Sequence, residues 1–319
     1  MPVYAFIFPG QGSQTVGMGR DLAAAFSAAR EVFKEVDDTL GQKLSKLMFE
    51  GPSEELTLTE NTQPALMAHS LAVLRVLERE GGFKLADRAV LVAGHSLGEY
   101  SALAAAGAFT PAHAARLLRL RGQAMQKAVA PGEGAMAALL GAEMDLAREL
   151  CTEAATNPEG VVEVVEPAND NGGGQVVISG HRAAVDRAIE LSKTRNIRRA
   201  LLLPVSAPFH CALMAAAADA MQAALERDPP AAPLVPLIAN VTAAKVTDPA
   251  EIVRLLVAQV TATVRWRESV LAMTALGIDS FIELGAGKVL TGLIKRIAPD
   301  AAGVSAGTPA EIESLLKIL

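Results

Sequence analysis

The stretch Val90-Leu91-Val92-Ala93-Gly94-His95-Ser96-Leu97-Gly98-Glu99 constrains this chain more than any other. Its four leading apolar residues read as a buried strand, and the G-x-S-x-G of Gly94 to Gly98 as a tight strand-to-helix turn. The small-residue run Ser101-Ala102-Leu103-Ala104-Ala105-Ala106 then reads as a close-packed helix. That order is the one a nucleophile elbow needs: a serine on a strained turn, its hydroxyl exposed at the carboxyl end of a strand. The flanking glycines let the backbone bend sharply. The N–H of Leu97, at the start of the new helix, is aimed where an oxyanion would form. A turn serine that merely caps a helix is the plainer alternative, and the context on both sides favours Ser96 as a nucleophile.

With 319 residues, 51% hydrophobic and 20% charged, the chain can bury a sizeable core. The formal net charge of −6 and the lack of a Lys/Arg run argue against a nucleic-acid partner. Cys151 and Cys211 are the only cysteines and lack C-x-x-C spacing, so neither a disulfide framework nor a zinc site is expected. The stretch Met1 to Pro9 lacks a basic n-region, and no uncharged segment reads as a membrane span. These features predict a cytoplasmic enzyme without membrane association.

Along the chain, Val3 to Phe8 reads as a buried parallel strand, followed by the polar loop Pro9-Gly10-Gln11-Gly12-Ser13-Gln14. This loop lacks the G-x-G-x-x-G and P-loop signatures. It is either an ordinary turn or the source of a second oxyanion donor. Helical spacing covers Asp21 to Leu40 and Asn61 to Glu80, the latter with Pro64 in its first turn. Thr110-Pro111 opens a helix to about Val129 that carries Arg116, Arg119 and Arg121 in an apolar setting. From Pro131 the texture changes. Ala135–Leu140, Val161–Val165, Gln175–Ser179 and Ala200–Leu203 read as strands, with helices over Asp145–Ala155 and Ala183–Arg195. This βαββαβ order is ferredoxin-like. The expected fold is therefore α/β: a hydrolase-like core with a parallel sheet and nucleophile elbow, over residues 1–130 and 205–319, and a ferredoxin-like insert over 131–204. Ala212 to Leu225, Ile252 to Gln259, Arg267 to Leu276 and Leu290 to Ile297 read as helices, and Leu237–Ala239 and Ser280–Leu284 as strands, after which the chain closes.

A serine nucleophile needs a base, most often histidine. His69 and His113 lie within amphipathic helices, His181 reads as exposed at a helix start, and His95 points away from its neighbour on the turn. His210, at a loop-to-helix junction after Pro208-Phe209, is the best candidate. Of the acids between Ser96 and His210, the candidates Asp145, Asp170 and Asp186 all fall in the insert. A carbonyl would orient the imidazole equally well.

These residues resemble a family. Gly10-Gln11-Gly12-Ser13-Gln14, Gly94-His95-Ser96-Leu97-Gly98-Glu99-Tyr100, Arg119-Leu120-Arg121-Gly122, Pro208-Phe209-His210-Cys211, Asn240-Val241-Thr242 and Gln259 with Val264-Arg265-Trp266 together resemble the malonyl-CoA:acyl carrier protein transacylases of bacterial type II fatty-acid synthesis, essentially end to end. The resemblance implies Ser96 as nucleophile and His210 as base, oriented by the main-chain carbonyl of Gln259. It implies the N–H groups of Leu97 and Gln11 as an oxyanion hole and Arg121 as carboxylate anchor, with no cofactor or metal. Phe209 and Leu97 are expected to narrow the acyl pocket. Thr263 departs from the family, which usually carries proline there. The implied reaction is ping-pong transfer of malonyl from CoA to carrier protein by a monomer. A serine hydrolase is the runner-up, and a scaffold that has lost its chemistry is disfavoured because nucleophile and base are both present. Docking of an acidic carrier is expected at a basic patch, either Arg182, Arg187, Lys193, Arg195, Arg198 and Arg199 or Lys288, Lys295 and Arg296.

Overall fold

The computed structural model describes residues 3–319; Met1 and Pro2, where the expected large domain begins, lie outside them. The strands are β1 (Tyr4–Phe8), β2 (Ala89–Gly94), β3 (Gly134–Leu140), β4 (Val165–Asp170), β5 (Gln175–His181), β6 (Arg199–Leu202), β7 (Leu237–Ile238), β8 (Lys245–Val246), β9 (Ser280–Leu284) and β10 (Ala302–Ala306). They form a six-stranded sheet of order β10-β9-β1-β2-β7-β8 and a four-stranded sheet of order β4-β5-β3-β6.

Continuous apolar sequence places β1 and β2 at the centre of the larger sheet, covered on both faces. Phe6, Phe8 and Val92 point into a core with the helices Thr59–Gly81 and Pro111–Lys127. Ala5, Ile7, Leu91 and Ala93 pack on the other face against Trp266, Val270, Met273 and Leu290. The register decides what meets at the sheet's carboxyl edge. Phe8 lies opposite Gly94, and Ala93 opposite Ile238, so the loops after β1, β2 and β7 emerge side by side.

The four-stranded sheet is antiparallel throughout and has the ferredoxin-like order. Its helices Met144–Ala154 and Arg182–Ser192 cover one face over a separate small-residue core that includes Ala137, Leu139, Ile178 and Val185.

Several expectations are corrected. The large sheet is mixed, because β8 returns antiparallel along β7. The strand expected over Val161–Val165 begins only at Val165. The Asn157 side chain accepts the N–H groups of Glu159 and Val161 and curls the segment, leaving Val162 in an isolated bridge to Thr156 before β4 starts at Val165. The helix expected over Asp21–Leu40 is broken at Phe26, whose backbone is extended (φ −125°, ψ 129°). Pro64 lies inside its helix because that helix begins at Thr59. The chain does not close after Ile297: β10 adds a parallel edge strand and a helix Pro309–Leu315 follows. His181 is half-buried, its Nδ1 accepting the Val164 N–H at 2.9 Å. Among the described residues no helix is long and apolar enough to cross a membrane.

Candidate active site

Ser96 sits on the turn that ends β2, with φ of +54°. A non-glycine residue in this region costs about 1–3 kcal/mol and persists only where its surroundings hold it. Here backbone crowding holds it. A Cβ on Gly94 would come within 1.9 Å of the Gly98 backbone, and one on Gly98 within 2.2 Å of Phe8 O. Asn240, fully buried after β7, clamps the turn from the side. Its Oδ1 accepts the Ser96 N–H at 2.8 Å and its Nδ2 donates to Gly94 O at 2.7 Å.

The Ser96 hydroxyl lies 2.8 Å from His210 Nε2. His210 is also left-handed, at φ +60°, and its Nδ1 lies 2.8 Å from the main-chain oxygen of Gln259. A carbonyl can only accept, so Nδ1 carries the hydrogen and Nε2 is free to take a proton from Ser96. Burial, reinforced by the nearby Arg121 charge, pushes the imidazole down to about 3 and keeps it neutral. Among the described residues no acid reaches His210; Asp170 instead accepts from Arg267 at 2.9 Å. Thr263 donates to Pro167 O at 2.6 Å, and the Gln259 carbonyl still meets His210.

Arg121 is 1% exposed. Its Nη1 donates to Gln63 Oε1 at 2.8 Å, and its Nη2 to Gln259 Oε1 at 2.8 Å and to Ser96 Oγ at 3.3 Å. These acceptors are two amides and a hydroxyl, and its Nε has no protein partner. The guanidinium lies over the Tyr100 ring, 5.7 Å from its centroid. Glu99, three residues after Ser96, meets Gln259 Nε2 rather than Arg121. Burial pushes its carboxyl up to about 8, against the pull of Gln259, Asn240 and the Arg121 charge.

A cavity of about 820 Å³ opens onto Ser96, His210 and Arg121. Gln11, Leu97 and Phe209 line it from the larger sheet, and Met136, Ala138 and Val177 from the smaller one. The N–H groups of Gln11 and Leu97 belong to adjacent loops by the β1–β2 register, and neither is spent on a backbone acceptor among the described residues. Gln11 Oε1 accepts from Thr59 Oγ1, whose oxygen accepts from Gln63, so this loop is linked to Arg121 through one chain of hydrogen bonds. His95 points away from Ser96 and pairs its Nε2 with Asn171 Oδ1 at 2.8 Å. Cys211 is fully buried, and burial pushes its thiol up to about 11, which disqualifies it as a nucleophile.

The structure thus gathers Ser96, His210, Gln259, Arg121, Gln11, Leu97 and Phe209 around one cavity. Four of the six cations in the insert's basic run are held in ion pairs, Arg182 with Asp186 at 3.1 Å, Arg187 with Glu163 at 2.6 Å, Lys193 with Glu190 at 2.7 Å, and Arg195 with Glu153, while Arg198 and Arg199 are exposed and form no ion pair among the described residues. Lys288 and Arg296 stand at the cavity, the first paired with half-buried Glu311 and the second donating to Gln175. Sequence reasoning missed the parts played by Gln63, Asn240 and Glu99. The available signal was Glu99 itself, an acid inside an otherwise apolar helix start.

Residues 5–312 match the family described as acyl transferase domain. The chain is 45% identical to the malonyl CoA-acyl carrier protein transacylase of Escherichia coli K12, over all of both chains, and 43% identical to that of Bacillus subtilis, over all of this chain and 98% of the other. Among solved structures, the acyl-carrier-protein S-malonyltransferase of Bartonella henselae superposes with a TM-score of 0.95 at 53% identity, covering 99% of each chain. A malonyl-transacylase in complex with its type II PKS acyl-carrier protein superposes at 0.94 with 42% identity, covering 99% of this chain and all of the other.

Proposed function

The chain belongs to the acyl transferase domain family, and on that premise we propose how its site works. It is a malonyl-CoA:acyl carrier protein transacylase of fatty-acid synthesis, moving malonyl from CoA to the phosphopantetheine thiol of the carrier through an acyl-serine. The Ser96 Oγ attacks the thioester carbonyl while His210 Nε2 takes its proton. The N–H groups of Leu97 and Gln11 hold the oxyanion, the C–S bond breaks, and the CoA sulfur leaves with the proton from His210. The carrier's thiol then repeats these steps in reverse on malonyl-Ser96. The main-chain carbonyl of Gln259 takes the orienting place that an acid fills in a triad.

The observation that carries the malonyl reading is Arg121: a buried guanidinium 3.3 Å from the nucleophile whose donors meet no carboxylate among the described residues. Guanidinium matches a carboxylate through two parallel hydrogen bonds, and malonyl brings that carboxylate at the end distal to the thioester. A hydrolase of neutral esters has no use for such a cation. Phe209 and Leu97 confine the acyl group, and residues 131–204 act as an insert in a catalytic domain of 1–130 and 205–319. The proposed compartment is the cytoplasm, in keeping with CoA and carrier thioesters as substrates.

The test mixes enzyme with malonyl-CoA, with and without holo carrier protein. Mass spectrometry should find malonyl on Ser96 without carrier and malonyl-carrier with it. Free malonate as the main product would make the protein a hydrolase, and an adduct on Cys211 would remove Ser96 from its role.

A further inference from the structure

Glu99 is 1% exposed and does not line the cavity, yet it touches the residue on which the site converges. Gln259 meets three parts of that site. Its main-chain oxygen accepts from His210, its Oε1 accepts from Arg121 at 2.8 Å, and its Nε2 donates to Ser96 O at 3.0 Å and to Glu99 Oε2. Glu99 Oε1 takes the Asn240 N–H at 3.3 Å, so both oxygens of the carboxyl group accept an N–H. A side-chain amide has two orientations related by a half-turn, and hydrogen-bond partners choose between them. Here Glu99 Oε2, the Ser96 carbonyl and, at 3.3 Å, Asn240 Oδ1 surround one end of Gln259, where an NH₂ fits. Turned over, Gln259 would set donors against the Arg121 donors and an oxygen against the Ser96 carbonyl and Glu99 Oε2.

We propose that Glu99 is a positioning residue for substrate selection: by pinning the Gln259 amide, it keeps a carbonyl oxygen under Arg121 and so holds the guanidinium fork where a distal carboxylate meets it. This rests on the malonyl reading above. Glu99 itself touches no substrate. Its influence is specific to acyl groups that carry a carboxylate, because acetyl never engages Arg121.

The experiment compares single-turnover acylation of Ser96 by malonyl-CoA and acetyl-CoA in the wild type and in Glu99→Gln, which keeps the volume but brings an NH₂ among the donors of Gln259 and Asn240. The expected result is a malonyl rate reduced on the order of tenfold, with acetyl changed by less than about twofold. In an Arg121→Ala background, Glu99→Gln should have no further effect on malonyl. Equal losses for both acyl groups, or losses that add independently to those of Arg121→Ala, overturn the proposal and leave Glu99 a structural residue. If Glu99→Gln does not fold, Glu99→Asp carries the same test: it shortens the side chain and withdraws its oxygens from the Gln259 amide, so it too should cost malonyl and spare acetyl, and an equal loss refutes the idea. A wild type that does not prefer malonyl would instead refute the functional reading.

Discussion

The six-stranded and four-stranded sheets each cover a packed apolar core, but the first gathers buried polar side chains around Ser96, while the second buries Asn169, Asp170 and Asn171 at the end of β4. At the first sheet's carboxyl edge Ser96 is pinned in left-handed backbone, and Glu99, Arg121, His210, Asn240 and Gln259 are all nearly or fully out of solvent. The four-stranded region is ordinary by contrast. Its interior is Ala137, Leu139, Leu150, Ile178 and Val185, and most of its cations lie outside, tied to neighbouring acids. The difference separates two tasks. The proposed reacting groups come from one sheet, while the other contributes Met136, Ala138 and Val177 to the cavity wall. Changes on the first side should therefore alter chemistry, and changes on the second only fit.

The sharpest test is Ser96→Ala, which should lower acylation by roughly a thousandfold or more while the protein unfolds little more easily, since it removes one half-buried hydroxyl from a strained turn. Intact-mass measurement after brief malonyl-CoA exposure checks both substrate and site. Arg121→Ala comes next. Two charge-assisted hydrogen bonds at about 1.5–3 kcal/mol each give a loss on the order of a hundredfold or more for malonyl, with a relative gain for acetyl. Arg121→Lys should recover only part of the malonyl rate, because an ammonium lacks the fork. Equal losses for both acyl groups would make Arg121 structural.

On the wall, Met136→Ala should let in acyl groups branched at the α-carbon by roughly 5- to 10-fold while malonyl falls less than about threefold. A malonyl loss as large as that of Arg121→Ala would erase the contrast between the sheets. At the mouth, Arg296→Glu should raise the apparent KM for carrier protein roughly fivefold at low salt, and Arg195→Glu, already paired, less than about twofold. The reverse ranking would return docking to the insert.

The smallest effect concerns pH. Because His210 is held down at about 3, its neutral form persists well below the usual histidine range, and acylation at pH 5.5 should stay within about twofold of that at pH 7. An imidazole at the ordinary value of 6.5 would lose roughly eightfold over that interval. Stability runs the other way. The unfolded chain takes up protons near 6.5 that buried His210 and His69, held at about 4, refuse, so these two groups destabilise the fold as pH falls from 6.5 toward 4. Glu99, raised to about 8, opposes them, since its stabilising contribution grows as pH falls from 8 toward 4.5. Thermal unfolding against pH, with His69→Gln as the comparison, separates the terms.

Much of this was legible in the sequence because the chemistry is local there. A glycine-flanked serine between an apolar run and a small-residue helix has few other uses, and a histidine after Pro208-Phe209 stands out among five. What stayed hidden depends on register. Asn240 reaches Ser96 only because β7 pairs with β2 two residues short of the turn. The ion pairs Arg187–Glu163 and Arg195–Glu153 join residues more than twenty positions apart, so these two members of the insert's basic run looked free in the sequence when they were not. The edge strand β10 escaped notice because Ala302, Gly303 and Ser305 carry almost no apolar signal.

The crowding of Gly94 against Gly98, and of Gly98 against the end of β1, also bears on how such a molecule diversifies. Where main chain rests on main chain, no larger residue is tolerated, so descendants of this gene inherit the geometry around Ser96 nearly unaltered. Innovation is then channelled to the opposite wall, where Met136, Ala138 and Val177 can exchange bulk without disturbing the serine. A lineage adapting to a different building block would record its history there, and a library built to retrain the enzyme should be drawn from those positions first.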